Sequence, residues 1–125
     1  MNRTPRISEA EWEVMKICWG TSPITAQGVV DALAGQHSWH PKTIKTLLGR
    51  LVGKRALGFK KEGRAYLYYP VVRENDCVTA ETKSFLDRVF GGSLQPMLAH
   101  FVENERLSPK EIAELKKLLK ERGKK

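Results

Sequence analysis

The sequence has no apolar run near the roughly 18–20 residues that a helix needs to cross a bilayer, which excludes a membrane-spanning segment and a membrane partner. Its start, Met1 to Arg6, is polar and leads straight into a patterned helix. That is the layout of neither a signal peptide nor a transit peptide, so the expected location is cytoplasmic. Cysteine is scarce: Cys18 and Cys77 stand far apart, with no CxxC and no Cys/His cluster around them. A zinc site is therefore not expected, and the two thiols read as a reduced cytosolic pair. His37, His40 and His100 have no cysteine or carboxylate at metal-ligand spacing. GxGxxG, Walker, nucleophile-elbow and HExxH patterns are all missing, and so are the backbone cradles and paired ligands those patterns supply. No catalytic residues, cofactor or metal are expected, and the chain does not read as an enzyme. Internal repeats and low-complexity tracts are absent too.

What is present points elsewhere. The 125 residues, 41% hydrophobic and 29% charged, suit a soluble globular chain of one small domain plus an arm. A formal charge of +8 and a pI near 9.7 favour polyanionic partners, nucleic acid first and an anionic surface second.

The first helix begins at Ser8-Glu9-Ala10-Glu11, a capping box in which Ser and the Glu three residues on satisfy each other's backbone N–H groups. Trp12, Met15 and Trp19 share one face, and Gly20 ends the helix. After the Thr21-Ser22-Pro23 loop, Ile24 is placed to bridge to a sheet, and Thr25 caps a second helix with Val29, Val30 and Leu33 on its apolar side. A third helix opens at Pro41, where the missing N–H costs nothing. Ile44, Leu47, Leu48, Leu51 and Val52 form its core stripe. Its other side carries Lys42, Thr43, Lys45, Thr46, Gly49, Arg50, Gly53 and Lys54. The period then shifts toward two. Leu57 to Lys61 and Ala65 to Tyr69 read as strands joined by Glu62-Gly63-Arg64, a tight turn with glycine where positive φ is needed.

Beyond Pro70 the pattern is all helical. A long helix over 74–90 carries Phe85, Leu86, Val89 and Phe90, and Gly91-Gly92 stops it. A fifth helix after Ser93 carries Leu94, Met97, Leu98 and Phe101. A sixth, opened by the capping box Ser108-Pro109-Lys110-Glu111, carries Ile112, Leu115, Leu118 and Leu119 and ends in a tail at Gly123-Lys124-Lys125. The expected fold is mainly α with a small β-hairpin: a winged helix-turn-helix over 1–71, then a three-helix dimerisation arm over 72–125. The arm is too small to bury its large apolar side chains by itself and has no disulfide or metal to staple it. The apolar positions just named are thus the candidate homodimer contacts, the alternative being that the arm folds back on the first domain.

Charge is concentrated in one window. Between Trp39 and Arg64 stand eight basic residues and one acid, Glu62, leaving +7 of the total. A reading helix that inserts its first turns into the major groove, with flanking cations on phosphates, calls for this placement. Lys42, Thr43, Lys45, Thr46 and Arg50 on the helix, with Lys60, Lys61 and Arg64 at the wing tip, are the candidate contacts to double-stranded DNA. Trp12, Trp19, Phe59, Tyr66 and Tyr68 read as core and hairpin packing rather than a base-stacking platform. A reading from another class is a protein-interaction adaptor, whose basic surface would dock an acidic partner.

Three stretches, Ser8 to Met15, Pro41 to Leu51 and Glu62 to Tyr68, together resemble the penicillinase-repressor family (BlaI/MecI/CopY type), and Ser84 to Ser93 with Leu107-Ser108 extend the likeness into the arm. The resemblance implies a dimeric winged-helix repressor on TACA/TGTA-type operator dyads of β-lactamase or related resistance genes. It also implies release through a sensor-linked protease that cuts an Asn-Phe bond in the fifth helix. Here that position is His100-Phe101, which makes this pair the candidate regulatory cleavage position. The CxC pair of the copper-responsive branch is missing from Glu121 to Lys125, so copper sensing is not expected.

Overall fold

The computed structural model describes residues 4–104 and 107–123; the expected tail at Lys124-Lys125 lies outside them. The elements run α1 (Glu9–Gly20), α2 (Ala26–Leu33), α3 (Pro41–Gly53), β1 (Leu57–Glu62), β2 (Ala65–Pro70), α4 (Glu74–Phe90), α5 (Leu94–Asn104) and α6 (Pro109–Gly123). The order helix, helix, helix, hairpin, three helices is the one the sequence predicts. The chain divides into two compact units within α4, residues 1–81 and 82–125.

Local chemistry accounts for the ends of the helices in the first unit. The Ser8 hydroxyl accepts from the Glu11 N–H (3.2 Å), and the Glu11 carboxylate accepts from the Ser8 N–H (2.9 Å), which completes the capping box. Thr25 caps α2 by accepting from the Gly28 N–H at 3.0 Å. Pro41 occupies the first turn of α3. β1 and β2 pair antiparallel from Leu57↔Pro70 to Glu62↔Ala65, so the connection is the two-residue turn Gly63-Arg64 with Gly63 at φ 65°. Ile24 adds a third, one-residue strand through reciprocal bonds with Tyr68 of 3.0 and 2.8 Å.

The core of this unit lies between α1, α2, α3 and the base of the hairpin. Val14, Met15 and Cys18 from α1 meet Val29 and Leu33 from α2 and Ile44, Leu47, Leu48 and Leu51 from α3. Leu57 and Ala56 close it at the hairpin, and Cys77 at the start of α4 joins it. The Trp19 indole N–H donates to the Val72 carbonyl at 3.0 Å, which ties the segment after the hairpin to α1. The first turns of α4 therefore belong to the first unit, beyond the change of pattern at 71/72.

In the second unit, Gly91 and Gly92 both take positive φ (61° and 83°) and end α4. α6 opens with a second complete capping box, Ser108 with Glu111, at 3.0 and 3.1 Å. Neither α5 nor α6 has a buried residue.

Candidate nucleic-acid interface

α3 separates its two faces cleanly. Ile44, Leu47, Leu48 and Leu51 are buried, while Lys42, Thr43, Lys45, Thr46, Gly49 and Arg50 are exposed. The helix is anchored on one side and leaves a polar surface of helical period on the other. Its N-terminus is capped by His40, whose Nδ1 accepts from the Lys42 N–H at 3.0 Å. Sequence reasoning placed Pro41 there but missed the imidazole cap, since histidine is not among the usual capping residues. The Thr46 hydroxyl donates to the Lys42 carbonyl at 3.0 Å. With its proton engaged inside the helix, Thr46 retains a methyl group and oxygen lone pairs for a partner.

On the hairpin, Lys60, Lys61 and Arg64 are all exposed. Register places Lys61 opposite Tyr66 and Lys60 opposite Leu67, so the two lysines stand on opposite faces of the ribbon. The Lys61 ammonium lies 6.0 Å from the Tyr66 ring centroid. Trp12, Trp19 and Tyr68 pack against the core as expected. Phe59 and Tyr66 instead remain 47% and 46% exposed while meeting edge to face at 5.1 Å. They hold the two strands together at a level where no helix covers them.

Two ion pairs occur among the described residues, His37–Glu13 at 3.3 Å and Lys54–Glu11. Of the cations in the 39–64 window, Lys54 is thus committed to a carboxylate. Lys42, Lys45, Arg50, Lys60, Lys61 and Arg64 keep their charge unpaired among the described residues. Glu11 is buried at 1% exposure. Burial alone would raise its carboxyl, but hydrogen bonds from Lys54 and Ser8 outweigh that and hold it below the usual carboxylate range. Burial pushes the Cys18 thiol up to about 11. The Cys77 thiol is raised by burial and by the nearby Asp76 and Glu74. Both cysteines are free, and neither has the environment of a reactive thiolate.

The candidate dimer contacts divide by exposure. Leu86, Phe90, Met97 and Leu98 are half-buried within the second unit. Phe85, Val89, Leu94, Phe101, Ile112, Leu115, Leu118 and Leu119 are exposed, from 38% at Phe85 to 62% at Leu118. His100 is exposed on α5 next to Phe101, and the Asn104 side chain donates to its carbonyl at 3.0 Å. Among the described residues there is no metal-binding cluster, and no helix is long and apolar enough to cross a membrane.

A three-helix body, an antiparallel hairpin beside its third helix and a basic surface shared by the two define a winged-helix DNA-binding protein. The penicillinase-repressor family profile matches residues 7–121. The penicillinase repressor of Bacillus licheniformis is 44% identical over 121 residues, 97% of this chain and 94% of that protein. The methicillin resistance regulatory protein MecI of Staphylococcus aureus is 39% identical over 118 residues, 94% of this chain and 96% of its own length. Among solved structures, the solution structure of the DNA-binding domain of the repressor BlaI is similar, with a TM-score of 0.54 and 46% identity over 61% of this chain and 93% of that one. So is the monomeric form of Bacillus licheniformis BlaI in complex with the blaP half-operator, with a TM-score of 0.53 and the same identity and coverage. The chain belongs to the penicillinase-repressor family.

Proposed function

We propose that this protein is a sequence-specific DNA-binding repressor that acts in the cytoplasm as a homodimer on a palindromic operator of the TACA/TGTA type, controlling β-lactamase or related resistance genes. The observation that carries the reading is the exposed, unpaired set Lys42, Lys45, Arg50, Lys60, Lys61 and Arg64 on one helix and one hairpin tip. α3 enters the major groove with Thr43, Thr46 and Arg50 at base edges, and the hairpin tip and lysines neutralise phosphate. A relative in this family has been solved on a half-operator, the arrangement expected if each protomer reads one half of a dyad. The exposed apolar side chains of α4, α5 and α6 supply the surface through which two copies pair, and the two reading helices then lie about 34 Å apart, one turn of DNA.

Release from the operator is proposed to follow cleavage at His100-Phe101 by a sensor-linked protease. His100 replaces the asparagine implied by the family resemblance, so the protease must accept an imidazole there. Exposure of the pair on α5 supports access.

Selection of bound sequences from a random duplex pool, followed by salt titration of the winner, tests the reading. Lys60→Gln and Lys61→Gln are expected to weaken binding to every duplex and to lower the salt slope by up to about 0.9 each. Thr46→Ala and Arg50→Ala are expected to change which bases are preferred. Recovery of no consensus would favour the adaptor reading, and uniform weakening by the α3 variants would remove α3 as the reading helix.

A further inference from the structure

We propose that Glu11 and Lys54 form a positioning clamp that fixes the recognition helix and the wing relative to α1, so that operator discrimination depends on two residues that touch no DNA. The proposal rests on the reading of α3 as the DNA-contacting helix.

Lys54 counts among the basic residues of the reading region by sequence, yet its ammonium donates to the buried Glu11 carboxylate and to the Arg6 carbonyl (2.7 Å). The same Glu11 oxygen accepts from the Ser8 N–H. Ser8 is the N-cap of α1, and Lys54 is the C-cap of α3, its own N–H donating to the Arg50 carbonyl at 2.9 Å. One carboxylate therefore joins the first cap of one helix to the last cap of another, 43 residues apart.

Lys54 also stands where the chain leaves the helix for the wing. The Arg55 N–H donates to the Val52 carbonyl (3.0 Å) and the Ala56 N–H to the Leu51 carbonyl (2.9 Å), a Schellman closure with Arg55 at φ 65°. The Val71 N–H then ties the end of the hairpin to the Ala56 carbonyl at 2.9 Å. The corner between α3 and β1 is thus held from the helix, from the hairpin and, through Lys54, from α1.

A buried ion pair is a weak source of net stability, because desolvation offsets the attraction, and apolar residues of similar shape often replace it without loss. What it supplies that an apolar pair cannot is direction: ammonium and carboxylate satisfy each other, Arg6 and Ser8 in one register. At this corner a change of register moves the wing relative to the reading face of α3. Phosphate attraction tolerates such a shift, whereas bidentate base contacts do not.

The test uses the full chain with Lys54→Met, Glu11→Gln and Lys54→Arg. Affinity is measured across a salt series on a duplex with two TACA/TGTA half-sites and on a scrambled duplex of equal length, at temperatures where circular dichroism shows each variant folded. Glu11→Gln retains an oxygen for the Ser8 N–H and guards against loss of the fold in Lys54→Met. In both, the ratio of dyad to scrambled affinity is expected to fall about tenfold, the effect of one spoiled base contact. The salt slope is expected to stay unchanged, where a lost phosphate contact would lower it by about 0.9. Lys54→Arg is expected to restore the ratio. A lowered slope with an intact ratio would make Lys54 a phosphate ligand and overturn the clamp, as would an intact ratio and slope in both variants. A wild-type chain that does not prefer the dyad would instead overturn the operator reading on which the clamp rests.

Discussion

The two units of this chain carry the same kind of apolar pattern and do different things with it. In the first, the stripes of α1, α2 and α3 converge, and Val14, Met15, Val29, Leu48 and Leu51 are fully buried. In the second, α5 and α6 are just as regularly striped, yet Leu118 and Leu119 remain 62% and 60% exposed. Periodicity therefore reports which face of a helix is apolar, not whether the chain itself covers it. Three helices meeting at an angle over a hairpin enclose a volume; the arm's helices do not, which is why a partner chain is proposed for them.

The comparison can be broken at its two ends. Leu118→Glu with Leu119→Glu is expected to leave melting of the first unit unchanged while dissociating the dimer in sedimentation equilibrium. Affinity for a full dyad should fall about a hundredfold through loss of the second tethered contact. Leu48→Ala should do the reverse. It should cost about 2–5 kcal/mol of stability in the first unit, read by thermal melting, with oligomeric state preserved wherever the chain is folded. Equal effects of both changes on both readouts would show that the units are not independent.

Acid unfolding sharpens the comparison further. Because the Glu11 carboxyl lies below its ordinary value in the folded chain, the folded state binds fewer protons there than the unfolded one. Its contribution is complete above the usual carboxylate range and is lost as pH falls through the depressed folded value. The melting temperature of the first unit should therefore drop on acidification, and Glu11→Gln should flatten that limb of the curve. The smallest effect is expected at Arg55, which holds φ 65° where glycine is at ease. Arg55→Gly should stabilise the first unit by about 0.5–1 kcal/mol, net of the added freedom of the unfolded chain.

Much of this was legible in the residues. The capping boxes at Ser8 and Ser108, the Pro41 start, the stripe from Ile44 to Leu51, the bridge at Ile24 and the Gly63 turn are all local signals, each acting over a few neighbours. The helix–hairpin charge window was legible for the same reason, since it is a matter of counting along the chain. Lys54 shows the limit. Its position among the basic residues suggests a DNA contact, and only packing brings Glu11, 43 residues away, to its ammonium. The His40 cap and the positive φ of Arg55 were hidden as well, because neither residue type is the usual one for its position.

Sequence by itself determined which segments become helix or strand, where they end, which faces are apolar and where positive charge gathers. These depend on backbone propensity, side-chain period and neighbours within a turn or two. Tertiary structure decided which apolar faces find cover inside the chain, how far the first unit extends into α4 through Cys77, and which cations are left free. Those outcomes depend on side chains far apart in sequence competing for the same space and the same partners, and only the folded chain sets their distances.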